Sequence, residues 1–108
     1  MSNVMEMAVQ TNIAFESRRN QRLELTRHAR VRAQKRGIAT QAVPLIKAYG
    51  ERSYDQAGGI RFLMTEKSMR ELESAIGRSA RADELKGTYI VLSAEDEATV
   101  ITVGHRYN

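Results

Sequence analysis

Two β-branched runs near the C-terminus, Thr88-Tyr89-Ile90-Val91-Leu92-Ser93 and Thr99-Val100-Ile101-Thr102-Val103-Gly104, constrain this chain more than anything else in it. Side chains of this kind lose little freedom in extended backbone and pack well on a pleated surface, so both runs are expected as strands. The acidic connection Glu95-Asp96-Glu97 is short enough to make them antiparallel neighbours. A lone hairpin is not stable in water, so the remaining residues must supply further strands and a layer to cover them.

They have the patterns to do so. Arg22-Leu23-Glu24-Leu25 alternates polar and apolar and reads as a short strand. Thr26 is placed to cap a helix over His28 to Arg36, and Gly37 suits the left-handed position that ends it. Thr40 is expected to cap a second helix, roughly 41–49, with Ala42, Leu45, Ile46 and Tyr49 as its apolar stripe and Pro44 tolerated near the first turn. Strands over about 51–56 and 59–65 flank the turn signal Ala57-Gly58-Gly59. Thr65 and Glu66 open a third helix whose core stripe is Met69, Leu72 and Ile76, with Glu66 and Arg70 spaced for an ion pair. Gly77 ends it, and 78–87 has room for a further helical turn. The order is β-α-α-β-β-α-β-β, an α+β domain with a mainly antiparallel sheet and helices packed on one face. Residues 21–108 are expected to form this single domain. Residues 1–20 read as an N-terminal arm, flexible or partner-bound, with weak alternation at Met5, Met7 and Val9 and at Ile13 and Phe15.

At 108 residues there is material for one core but not two ordinary domains. The chain has no cysteine, which excludes disulfides, thiolate zinc sites and cysteine nucleophiles. No apolar run approaches a membrane span, and the first residues lack the basic and apolar regions of a secretory signal. A cytoplasmic protein without membrane association is the expectation. The net charge of +4 is unevenly spread: residues 1–50 carry +6 and residues 51–108 carry −2. Positive charge gathered in one part of a small protein favours polyanionic partners.

The candidate chemistry follows that charge. On a helical wheel His28, Arg32 and Lys35 fall within about 60° of one another, while Ala29 and Ala33 share an adjacent face small enough for close packing on a sheet. Arg32, Lys35 and Arg36 are candidate phosphate contacts, since phosphates ask for cations rather than base-reading geometry. Arg32 and Arg36 have an alternative as partners of Glu24 or of the 95–97 cluster. At the far end, His105-Arg106-Tyr107-Asn108 offers a proton-transfer group, a phosphate clamp in Arg106 and a stacking surface in Tyr107. His28 and His105 together would form an acid–base pair for metal-independent RNA cleavage, if they meet. No metal site is expected from two widely separated histidines, no cofactor is implied, and neither a phosphate loop nor a serine elbow is present.

His28-Ala29-x-x-Arg32-x-x-x-Arg36-Gly37-Ile38, followed by an amphipathic helix and strands, resembles a family of small bacterial and phage domains of unknown function often grouped with RelE/ParE-like toxins. The ending Thr99-Val100-Ile101-Thr102-Val103-Gly104-His105-Arg106 looks similar too. The resemblance covers about residues 22–108 and implies a sheet related to that of ribonuclease toxins, with RNA or the ribosome as partner and His28, Arg32 and Arg36 at motif positions. The chain departs from the pattern in its leader and in the Met69–Ile76 helix between sheet strands.

Two readings follow. One is an RNA-directed protein, either a metal-independent ribonuclease or an inactive relative. The other is a non-enzymatic interaction module that forms a homodimer or binds a protein partner through its arm or a sheet edge. A DNA-binding helix-turn-helix ranks last, because the basic helix comes first whereas recognition uses the second.

Overall fold

The computed structural model describes residues 23–106. Along the chain run β1 (Glu24–Leu25), α1 (Arg27–Arg36), a 3-10 turn (Thr40–Ala42) leading into α2 (Val43–Tyr49), β2 (Glu51–Tyr54), β3 (Gly59–Leu63), α3 (Glu66–Ile76), α4 (Ala80–Asp83), β4 (Thr88–Ser93) and β5 (Thr99–His105). The expected α+β order holds, with α4 as the further turn before β4. The arm at 1–20 and the stacking candidate Tyr107 lie outside the described residues.

The strands form one sheet in the order β1-β5-β4-β3-β2. The β2–β3, β3–β4 and β4–β5 pairs are antiparallel, as short connections require. The β1–β5 pair is parallel, so the sheet is mixed. The first strand returns beside the last one, which only a long crossover permits.

One sheet face carries Ile60, Phe62, Ile90, Leu92, Val100 and Val103 into a single core cluster. The helices meet it there through Ala29 and Ala33 of α1, Val43 and Ile46 of α2, and Met69 and Leu72 of α3. The alanines of α1 are fully buried, so this helix lies close against the sheet with almost no apolar bulk of its own. The opposite face bears Arg61, Tyr89, Val91 and Thr102, which stand outside that cluster.

A β-bulge decides where β5 points its last side chains. Leu92 pairs with Val100, but Val91 pairs with Thr102, leaving Ile101 as an extra residue. Simple alternation from Val100 would place Thr102 and Gly104 on the helix face. The extra residue shifts the alternation, so Val103 and His105 join Val100 there opposite Ile90 and Thr88. Gly104 then falls on the other face, where the Tyr89 ring lies so close that a Cβ would come within 2.7 Å of its hydroxyl oxygen.

Local capping follows the sequence at most ends. Thr26 Oγ1 accepts the Ala29 amide of α1 at 3.1 Å, and Thr65 Oγ1 does the same for Ser68 in α3. Gly37 is left-handed at φ 68°, and the Ile38 amide reaches back to the Ala33 carbonyl at 2.8 Å, the six-to-one bond of a Schellman ending. Two expectations give way. Thr40 makes no side-chain cap; the backbone begins with the 3-10 turn and Pro44 sits in the first turn of the α-helix behind it. Glu66 pairs with Lys86 at 3.3 Å rather than with Arg70, because α4 returns the chain past the start of α3.

Candidate nucleic-acid interface

Helix α1 is RHARVRAQKR: five Arg/Lys and no carboxylate in ten residues. Arg27 and His28 stand at its N-terminal end, where the helix dipole favours anions, whereas Lys35 and Arg36 sit in the last turn where it favours cations. Arg27–Arg30, Arg32–Lys35 and Arg32–Arg36 have the three- and four-residue spacings at which like charges oppose helix formation. Something other than intrinsic preference therefore holds this helix, and β5 supplies it.

Three hydrogen bonds tie α1 along β5. Thr26 Oγ1, besides capping the helix, donates to the Ile101 carbonyl at 3.2 Å. Arg32 Nε donates to the Val103 carbonyl at 3.2 Å. His105 Nε2 meets the Arg36 carbonyl at 3.0 Å. β1 pairs only with Thr99 and Val100, so the carbonyls of Ile101 and Val103 would otherwise be strand-edge acceptors without strand partners. The bulge and the bond set belong together: the shifted register turns these carbonyls and the His105 ring toward the helix.

The placement of His105 defines its tautomer. A carbonyl only accepts, so Nε2 carries a proton, and Nδ1 lies 3.3 Å from the buried Thr88 hydroxyl, which donates to it when the ring is neutral. The ring thus closes the C-terminal end of α1 by satisfying one of its orphan carbonyls. The His28 side chain, by contrast, is exposed in the first turn and makes no hydrogen bond with a described residue. Eight helical steps, about 12 Å along the axis, separate His28 from Arg36, the residue whose carbonyl the His105 ring meets. They also line different cavities. The structure does not bring the acid–base pair together.

The cationic candidates on α1 do come together. Among the described residues, His28, Val31, Arg32, Lys35 and Arg36 line a groove of about 460 Å³ along α1. Arg32 is half-buried and fixed through Nε, which leaves its Nη groups as donors. Lys35 and Arg36 are exposed, as are Arg27 and Arg30 on the flanks. No described carboxylate pairs with any of these cations: Glu97 of the acidic turn engages Arg52 at 3.2 Å instead. Among the described residues, neither Glu24 nor the 95–97 cluster forms the ion pair expected as the alternative for Arg32 and Arg36.

Arg106 sits apart. Its amide extends the β5 ladder to the Gly87 carbonyl at 2.7 Å, and its side chain lines a cavity with Glu66 and Lys86. A further cavity of about 530 Å³ opens where α1 ends, with Gln41, Arg81, Glu84, Thr88 and His105 as its polar lining. The sequence pattern held no sign of this cavity, which gathers residues from the 3-10 turn, α4 and β5. Among the described residues no three His, Asp or Glu side chains gather to hold a metal, and no helix is long and apolar enough to cross a membrane. The exposed sheet edge at β2 is four residues long and bears Glu51 and Arg52, features that discourage strand addition.

Comparison with protein-family models, with curated proteins and with solved structures finds no match.

Proposed function

We propose that this chain is an RNA-directed protein of the cytoplasm that holds single-stranded RNA by its phosphates along α1. The observation that carries this reading is a helix with five cations and no acid, bonded to the sheet at both ends and in the middle, whose charges no described carboxylate neutralises. Such a helix opposes its own formation and is complementary to a polyanion. At about 1.5 Å per residue it presents roughly 15 Å of cationic surface, enough for a few successive phosphates. The resemblance of His28-Ala29 to Gly37-Ile38 to RelE/ParE-like domains points the same way.

Binding without cleavage is the favoured form of this reading. His105 is engaged by Thr88 and Arg36, and His28 lies at the other end of the helix. The test is fluorescence anisotropy of labelled single-stranded RNA at rising salt, with the same samples run on a denaturing gel. Binding that weakens steeply with salt and leaves the RNA intact supports the proposal. Absence of binding at low salt refutes it. Cleavage lost on changing His28 or His105 to Ala would restore the ribonuclease form.

A further inference from the structure

Just beyond Lys35 and Arg36 the chain turns through Gly37 into the cavity of about 530 Å³. Its walls are largely apolar, with Ile38, Leu45 and Leu85 among them. Ile76, at the last position of α3, also lines it and is 55% exposed, a large apolar side chain the fold leaves open to solvent. Of the polar lining, Thr88 and His105 are bonded to each other, and His105 also to Arg36. Gln41, Arg81 and Glu84 are exposed, and no described cation forms an ion pair with the Glu84 carboxylate.

A cavity of this size, apolar in its walls and carrying a few polar groups, suits a flat heterocycle with a hydrogen-bonding edge. The groove that would hold phosphates is lined as far as Arg36, and this cavity is lined from Gly37 onward. We propose that it receives one unstacked guanine base from the strand that α1 holds; the proposal rests on the RNA-binding reading above. Guanine is singled out by Glu84. Its Watson–Crick edge presents two adjacent N–H donors, which one carboxylate accepts together, whereas adenine, cytosine and uracil each present at most one donor group beside an acceptor. The Arg81 guanidinium supplies a planar stacking surface, and the Gln41 amide supplies a donor for the guanine carbonyl.

The test compares anisotropy titrations of a short uridine oligomer with versions carrying one guanine, adenine or cytosine at the centre. The full chain is expected to bind the guanine oligomer about tenfold more tightly than the uridine oligomer, with no such gain for adenine or cytosine. Glu84→Gln is expected to bring that ratio close to one. So is Ile76→Trp, which fills the cavity from an exposed position and does not touch the core. Equal affinity for all four oligomers, a gain for another base, or a guanine gain that survives both variants overturns the base site while leaving phosphate binding by α1 in place. Failure to bind any oligomer at low salt overturns both.

Discussion

Single side chains hold the two tight connections that the hairpins depend on, and they do so by charge. Asp96 accepts the Ala98 and Thr99 amides at 2.9 and 3.0 Å and the Thr99 hydroxyl at 2.6 Å. The Thr99 hydroxyl and these amides favour the ionised form and hold the Asp96 carboxyl at about 2, below its ordinary 3.8. Asp55 is lowered in the same direction by the amides of Ala57 and Gly59. A carboxyl depressed in the folded state contributes stability that is complete above its unfolded value and lost as pH falls through the folded one. Stability should therefore fall between about pH 4 and pH 2, and Asp96→Ala should remove part of that fall while lowering stability at neutral pH; urea midpoints across that window check it. Arg32 makes a second residue-scale case. Arg32→Lys keeps the charge but loses the fork whose Nε bonds the Val103 carbonyl, and should cost about 1 kcal/mol in denaturant unfolding. An unchanged midpoint would mean that the bond adds nothing.

At the scale of elements, α1 is the part most at odds with itself. Its three like-charge spacings should together cost roughly 1 kcal/mol at low ionic strength. Salt screens exposed charges, so raising it should stabilise the free protein, and Arg30→Gln with Lys35→Gln should reduce that gain. Thermal unfolding with and without added salt reads both effects, and a melting temperature that falls with salt would contradict them. What the sequence revealed about α1 was local: the Thr26 cap, the Gly37 ending and the buried alanine side are all set by neighbours in the chain. What it concealed was non-local. Nothing in Thr99 to His105 marks Ile101 as the extra residue, because a bulge depends on the pairing of β4 against β5. Nor did β1 announce a parallel partner, since Glu24 and Leu25 find Thr99 and Val100 only once the whole sheet exists. The second helix was legible as a stripe, while its 3-10 entry, which displaces the Thr40 cap, was not.

Taken whole, the molecule is a sheet whose last strand positions its first helix. Thr26, Arg32 and His105 fasten α1 to β5; Arg32, Lys35 and Arg36 line one groove, and the lining of a separate cavity begins at the next residue, Gly37. His28, Arg32 and Lys35 were recognisable from helical spacing and Arg36 from the motif it closes, but the office of His105 was not, because the Arg36 carbonyl it meets lies 69 residues away in sequence. His105→Ala should accordingly lower stability, by leaving an α1 carbonyl and the Thr88 hydroxyl without this partner, and leave RNA intact as in the parent protein; equilibrium unfolding beside a cleavage gel separates these effects. The most direct test of phosphate binding by α1 is the salt dependence of single-stranded RNA affinity for the parent chain and for Lys35→Gln with Arg36→Gln. Each phosphate neutralised contributes about 0.7 to the slope of log K against log salt, so the double variant should flatten the slope by about 1.4. An unchanged slope would contradict the assignment of α1 as the phosphate-binding element.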